Sequence, residues 1–555
     1  MTVMSLGYRD ADERGSVARS LRARRTVVII LVVALVAISA TAVLLVLRSG
    51  PGPLSVTSPS LLFSSASDVR IVLGNSHGAV TWTLRSRSGE QIATGQASGG
   101  PDAALEPPVP ADGFYTLDLA DDRDTLSVNF LVNPAPDATD RFFSVATHWG
   151  KSSFAAGTWP VDATASLLRG LGFREVRDET SWMSVERVRG ERAIPPHAED
   201  LHTVTQDNGM KMLFVAGYGN PVAYPDDMKE NLSPPTTPEG RQGYVDYINT
   251  VLDADPQIDK VEVWNEFNRP QRNTSDCQSG DCYATLVKAV YKGVKARHPQ
   301  VKIVAGNTSG TPLPWFTDFI DAGGLRYCDM LSTHGYARDL DTTLAGVTAL
   351  DALVKRRNGG VSKPIIVSEI GVSNTTSTAR SGNIARVQTE EQAATALVKI
   401  FAGLRSNPAV VQTVWYDGVD DGSRPDETED NFGLYRQPTD TVAAFQPKQS
   451  AAAAGYLMRQ LEGYRFSSRR SLGSDVWMYT FVDGTGTQRR ILWRDAPYAD
   501  TTTGAATVSV TARSGYRTTV SSLTGEAVGA PLAPGTSRIS VGTEPIYLDE
   551  VPAAS

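Results

Sequence analysis

From Arg141 to about residue 460 the chain alternates short apolar runs with longer amphipathic stretches, and no other feature restricts the fold so strongly. Strands separated by helical stretches run parallel, because a crossover helix returns the chain to the same end of the sheet. Eight apolar runs stand at 142–147, 173–177, 211–216, 260–264, 301–305, 330–333, 365–368 and 411–415. Helical periodicity fills intervals such as 237–252, 284–297, 341–356 and 390–404, and a last amphipathic stretch follows at 450–461. This α/β pattern predicts a (β/α)8 TIM barrel over 140–463. An open doubly wound sheet is the rival; polar or aromatic residues at nearly every strand end favour closure.

On either side the period changes to two. Short alternating segments broken by Gly, Pro, Asn and Asp occupy 55–134, and the same texture returns over 466–551. These predict an N-terminal and a C-terminal β-sandwich domain, the second bracing the barrel, with carbohydrate binding as its rival role. Asn133-Pro134-Ala135-Pro136-Asp137 reads as a linker.

Residues 26–47 are uncharged and rich in Val, Leu, Ile and Ala, long enough to cross a hydrocarbon layer as a transmembrane helix. A basic tail, 1–25, carries Arg14, Arg19, Arg22, Arg24 and Arg25, whereas only Arg48 follows closely. The positive-inside rule then predicts a single-pass plasma-membrane protein, N-terminus cytoplasmic and the remainder extracytoplasmic. A cleaved signal peptide is the rival: Ala40-Thr41-Ala42 resembles a cleavage site, but Val43 to Leu47 prolong the apolar run.

The net charge is −8, and no cluster of Lys or Arg follows the first 25 residues, which excludes a nucleic-acid surface. The six histidines form no familiar zinc spacing, and phosphate-loop, nucleophile-elbow and dinucleotide signatures are missing from the sequence. No metal and no cofactor are expected. Cys277 and Cys282 are close enough to bridge, with Cys328 a buried thiol; three unpaired cysteines is the bland alternative.

The chemistry is concentrated at two strand ends. Val261-Glu262-Val263-Trp264-Asn265-Glu266 and Ile365-Ile366-Val367-Ser368-Glu369 are apolar runs that stop in a carboxylate, about three barrel units apart. Glu262, an even number of positions before Glu266, faces the barrel too and calls for a cation.

Trp264-Asn265-Glu266 on the fourth strand with Ser368-Glu369 on the seventh resembles glycoside hydrolase clan A, the retaining TIM-barrel glycosidases. Val176-Arg177 with Trp182, Tyr218-Gly219-Asn220-Pro221, His334-Gly335-Tyr336 and Asn431-Phe432-Gly433-Leu434 make it look most like family thirty-nine and related bacterial exopolysaccharide hydrolases. The resemblance implies that Glu369 is the nucleophile and Glu266 the acid/base. Two carboxyl groups about 5–5.5 Å apart support double displacement, and the charge of Glu369 is expected to raise the proton affinity of Glu266.

The same resemblance gives Asn265 a bond to the sugar 2-hydroxyl and Arg177 a charge-assisted bond to Glu369, with an internal barrel ion pair as the rival for Arg177. Tyr336 is a donor to Glu369. His334, His148 and Asn220 are candidate sugar ligands, with structural roles as rivals for the histidines. Trp415 is the candidate platform beneath the reactive sugar, with core packing as its rival, and Trp149, Trp182, Tyr218 and Trp315 also fall near strand ends. The acidic stretch Asp420 to Asp430 repels anionic polymers, binds a cationic sugar or is a solvated loop. The expected substrate is a cell-surface or secreted polysaccharide or oligosaccharide. A non-catalytic polysaccharide-binding or assembly scaffold is the rival class, and transglycosylation is a third reading.

Overall fold

Eight parallel strands close into one barrel: β1 (Phe143–Ala146), β2 (Glu175–Glu179), β3 (Lys211–Ala216), β4 (Ile258–Val263), β5 (Lys302–Ser309), β6 (Met330–His334), β7 (Ile365–Ile370) and β8 (Val410–Trp415). They belong to a computed structural model that describes residues 52–136, 139–150, 160–377 and 384–553. The predicted basic tail and membrane span at 1–25 and 26–47 lie outside the described residues, among which no helix is long and apolar enough to cross a membrane.

A helix follows each strand: α1 (Val161–Leu171), α2 (Pro196–Asp207), α3 (Pro238–Ala254), α4 (Gly280–Arg297), α5 (Leu313–Asp321), α6 (Leu340–Arg357), α7 (Glu390–Arg405) and α8 (Gln449–Leu461). Their starts obey local chemistry. Thr237 caps α3 by accepting from Gly240 N, with Pro238 in the first turn where a missing N–H costs nothing. Thr389 and Gln392 form a reciprocal capping box on α7.

The barrel interior is layered as strand alternation requires. Ala146, Leu213, Val304 and Ile366 come from β1, β3, β5 and β7 and pack together with Val414. Below them, Glu175 of β2 pairs with Lys260 of β4 at 2.8 Å and accepts from Gln412 of β8 at 2.9 Å, so the lower layer is polar but satisfied. Side chains facing the other way join the helices in one large apolar core.

Two further β regions flank the barrel. One has a five-stranded sheet in the spatial order Leu62–Phe63, Thr125–Val132, Gly113–Ala120, Val80–Ser86, Gln91–Ala97, with its own core around Leu84, Leu117 and Phe130. The other has five strands in the order Arg465–Gly473, Val476–Val482, Gln488–Arg494, Ile546–Pro552, Tyr516–Ser521, beside a pair formed by Ala506–Ala512 and Gly535–Val541. Arg87 of the first region pairs with Glu544 of the second at 2.7 Å.

Candidate active site

β4 does not simply end at Glu266. It stops at Val263, and Trp264 and Glu266 then take φ of 65° and 50°, a region that side chains with Cβ normally avoid. The adjacent strand stabilises this geometry. β5 bulges between Ala305 and Thr308, where Asn307 has φ 45°. Asn307 O accepts from Glu266 N at 2.8 Å, and Asn307 Nδ2 donates to Trp264 O. Trp264 is thereby turned into the core, its indole donating to Arg272 O at 2.9 Å, while Glu266 is turned into the barrel mouth. Even spacing along a strand puts Glu262 inside the barrel, but two left-handed residues place Glu266.

Glu369, near the end of β7, is held by two donors. Arg177 Nη1 reaches Oε2 at 3.1 Å and Tyr336 OH reaches Oε1 at 2.8 Å. The same guanidinium donates from Nε to Glu262 Oε2 at 2.8 Å and from Nη2 to Asn265 Oδ1 at 2.9 Å. Asn265 Nδ2 in turn donates to Tyr218 OH at 3.1 Å. One buried cation thus sets the positions of three side chains from β4, its end and β7. Burial opposes the charge of Arg177, but Glu262 and Glu369 outweigh it and raise its pKa further above the usual range.

Between the two glutamates lies His334, fully buried at the end of β6. Its Nδ1 donates to Glu266 Oε1 at 3.2 Å and stands 3.6 Å from Glu369 Oε1. Glu266 Oε2 accepts from Arg269 at 3.1 Å, with Arg272 3.9 Å away. Here the structure corrects an expectation: the charge of Glu369 does not govern Glu266. Burial favours its neutral form, but the bond and charge of His334 and the Arg269 guanidinium outweigh burial and hold the carboxyl down at about 2. His334 moves the other way: burial opposes its protonation, and the charges of Glu369 and Glu266 overcome that and raise its pKa above the usual histidine value.

These shifts give a pH signature. A raised His334 contributes stability that is complete below its unfolded value of about 6.5 and is lost as pH rises through the folded value. A lowered Glu266 contributes stability present above its unfolded value of about 4.3 and lost as pH falls towards about 2. The melting-temperature difference between the parent and a His334→Gln variant is therefore expected to be largest between those two unfolded values and to shrink towards pH 9. A difference that stays constant from pH 6 to pH 9 would show that the imidazole carries no charge in the fold.

The mouth forms a cleft of about 600 Å³ lined by His148, Arg177, Asp178, Tyr218, Asn265, Glu266, Arg269, Arg272, Tyr336, Glu369, Tyr416, Glu429 and Phe432, among others. Of the residues expected from sequence, His148, Arg177, Asn265, Tyr336 and both glutamates are brought together. His148 Nε2 stands 3.1 Å from Tyr416 OH. Three expectations are corrected. Asn220 is fully buried inside the loop after β3, where Nδ2 donates to Glu186 O at 2.6 Å and Oδ1 accepts from Ala223 N at 3.1 Å. His334 lies beneath the carboxylates and acts on them; it is not a wall of the cleft. Trp415 is 1 % exposed and packs outward against Phe401 of α7, because alternation along β8 sends the next residue, Tyr416, to the mouth.

Trp149, Trp182 and Trp315 are likewise core residues. The disulfide joins Cys277 to Cys282 and leaves Cys328 as a buried thiol. The acidic stretch is partly neutralised, Asp420 by Lys448 at 2.6 Å and Asp430 by Arg424 at 2.9 Å. Residues that sequence reasoning overlooks are Tyr416, Asp178, Arg269 and Arg272, while Phe432 and Glu429 are legible only as parts of the 431–434 motif and the acidic stretch. The arginines lie three and six positions after Glu266, a spacing that returns to the same mouth when the chain turns tightly. Burial raises Asp178 to about 7 against hydrogen bonds from Thr147 Oγ1 and the Glu179 and Gly150 amides.

Residues 239–444 match the family model of the glycosyl hydrolase catalytic core, a span that includes both glutamates. Among solved structures, the chain is similar to a family 39 glycoside hydrolase from the gut symbiont Bacteroides cellulosilyticus WH2, with 23% identity, a TM-score of 0.72, and coverage of 90% of this chain and 100% of that one. It is also similar to the GH39 enzyme from Xanthomonas axonopodis pv. citri, with 16% identity, a TM-score of 0.52, and coverage of 76% and 96%. A monomeric beta-xylosidase from Caulobacter crescentus CB15 follows at 14% identity, a TM-score of 0.51, and coverage of 76% and 98%. At these identities the neighbours show the fold, a TIM barrel accompanied by additional sheets. No curated protein matches the chain.

Proposed function

We propose that the chain, whose residues 239–444 match a glycosyl hydrolase catalytic core, is a glycosidase that works with retention, Glu369 attacking the anomeric carbon and Glu266 serving as acid and then base. The observation that carries this reading is the shared imidazole. Nδ1 of His334 lies 3.2 Å from Glu266 Oε1 and 3.6 Å from Glu369 Oε1. Through that nitrogen the two oxygens stand no more than about 7 Å apart, at or below the lower end of the ~6.5–9.5 Å of an inverting pair and compatible with the ~5–5.5 Å that suits direct attack.

Arg177 and Tyr336 hold the nucleophile in one rotamer, so little reorganisation opposes attack. Asn265, itself fixed by Arg177 and Tyr218, is the ligand for the 2-hydroxyl beside the anomeric centre. An ionised Glu266 is the form that the second step needs to take a proton from water. The first step needs it protonated, so the hold of Arg269 and His334 must weaken when substrate enters.

The substrate we propose is a cell-surface or secreted polysaccharide, cleaved outside the plasma membrane by an enzyme anchored through residues 26–47. That part of the reading is supported by the apolar run and the arginines before it. Glu266→Ala is expected to lose about 10²–10⁴-fold in kcat on a substrate with a poor leaving group, the usual contribution of a positioned acid. With an activated aryl glycoside, azide should restore turnover and yield a glycosyl azide of retained configuration. An azide product of inverted configuration would rule out double displacement, and polysaccharide binding without any bond cleavage would turn the reading to a scaffold.

A further inference from the structure

We propose that Arg269 and Arg272 form an anion-binding subsite on the leaving-group side of Glu266, so that the sugar released in the first step carries an anionic substituent. The inference rests on the retaining-glycosidase reading and names its substrate class.

The two oxygens of Glu266 have different surroundings. Oε1 is taken by the buried His334, which also faces Glu369. Oε2 is met by Arg269 at 3.1 Å and approached by Arg272 at 3.9 Å. The glycosidic oxygen is then taken to meet Glu266 at Oε2, the oxygen that both arginines face, which brings the sugar beyond that oxygen within their reach. Their side chains are 45% and 49% exposed and line the cleft.

The backbone that carries them is fixed by hydrogen bonds. Arg269 N donates to Glu266 O and Arg272 N to Arg269 O, each at 2.9 Å. Asn273, fully buried, donates to Phe267 O at 3.1 Å and Cys277 O at 3.0 Å, and the Cys277–Cys282 disulfide closes the loop. Two cations are thus presented at a set place with half-exposed tips, which suits a planar or tetrahedral anion.

Protonation of Glu266 leaves the two guanidiniums without the carboxylate that they face. When Oε2 holds the proton destined for the leaving oxygen, it no longer accepts from Arg269, and the ion pair that these arginines make is lost. Glu429, on the loop after β8, feels Arg272 electrostatically, but among the described residues no ion pair joins it to either arginine. Burial and the charge of Glu369 both favour its neutral form. Glu369 itself is engaged by Arg177 and Tyr336. Two members of the nearby acidic stretch, Asp420 and Asp430, are paired with Lys448 and Arg424, and Glu179, which also lines the cleft, acts on Arg177. A carboxylate, sulfate or phosphate on the leaving sugar replaces the lost partner. It also draws the guanidiniums off Glu266, leaving His334 and burial to set its proton affinity, so the substrate's own anion favours the protonated acid. No covalent step beyond the two displacements is added.

The test uses the leaving-group subsite directly, because an acceptor sugar that intercepts the glycosyl-enzyme binds there. The full chain is given an activated aryl glycoside that it turns over, together with glucose, glucuronate, glucose 6-sulfate or glucose 6-phosphate as acceptor. Transfer product is measured against hydrolysis. At least one anionic acceptor is expected to be preferred over glucose by about tenfold or more, the size of one charge-assisted contact, and which one identifies the anion. In Arg269→Gln/Arg272→Gln the preference should fall to less than about threefold, with Arg272→Lys intermediate. Each preference is a ratio within one protein, so partial unfolding of a variant cancels. Aryl release with no preference for any anionic acceptor, or a preference that survives the double substitution, overturns the subsite alone. No aryl release from any donor overturns the retaining reading and the subsite with it.

Discussion

Glu369→Gln is expected to lower kcat by at least about 10⁴-fold on every glycoside that the parent cleaves, the scale of loss when the group forming a covalent intermediate is removed. The amide has nearly the shape of the carboxylate. Turned with its oxygen towards Arg177, it still accepts from Nη1 and presents its nitrogen to the Tyr336 hydroxyl, so both contacts survive in altered form. The fold and the affinity for substrate should therefore change little while attack on the anomeric carbon is abolished. Two controls separate this from a general loss of function. An activated aryl leaving group should not rescue Glu369→Gln, because the bond-making step is missing, whereas it should rescue Glu266→Ala, in which only protonation is missing. A Glu369→Gln variant within tenfold of the parent would remove Glu369 as nucleophile.

How much of this site is legible in the sequence depends on how each residue reaches the mouth. Glu369 is readable because β7 is a plain apolar run and its carboxylate follows by alternation. Arg177 is readable for the same reason on β2, and the need of Glu262 for a cation follows from its position in β4. Period-two and period-3.6 patterns set the barrel itself, so its eight strands and the longer helices are evident within a few residues. Legibility fails where the backbone leaves the regular pattern. Asn307, whose bulge positions Glu266, has no signal in a strand-like stretch of Ile, Val and Ala.

Aromatic residues near strand ends are ambiguous for another reason: a shift of one position exchanges mouth and core. Trp415 and Tyr416 are neighbours, and the larger ring is the buried one. Polar loop residues are ambiguous because loops need internal hydrogen bonds as well as ligands, and Asn220 serves the loop. The proton affinity of Glu266 is the least accessible property. It depends on which carboxylate oxygen His334 and Arg269 reach, and that is a matter of tenths of an ångström between elements far apart in sequence.

Arg177→Met should cost about 3–5 kcal/mol of stability, the usual consequence of leaving one member of a buried ion pair behind. Glu262 is fully buried; its Oε2 accepts from Arg177 Nε at 2.8 Å, and its Oε1 has no hydrogen-bond partner among the described residues. Methionine fills the aliphatic volume of arginine but supplies no donor, so the carboxylate of Glu262 would be stranded in the barrel. Adding Glu262→Leu removes the stranded group, and the double variant is expected to recover to within about 1–2 kcal/mol of the parent, as buried ion pairs replaced by apolar residues often do. Activity should not recover. Arg177 also fixes Glu369 through Nη1 and Asn265 through Nη2, and an apolar pair at 177 and 262 leaves both free to rotate. Chemical denaturation of the two variants, read beside their kcat, therefore separates the two roles of one guanidinium. Stability restored with activity still lost by about 10² or more assigns Arg177 to positioning the nucleophile. Stability and activity restored together would mean that Arg177 only neutralises Glu262, and that the contact with Glu369 contributes nothing to the reaction.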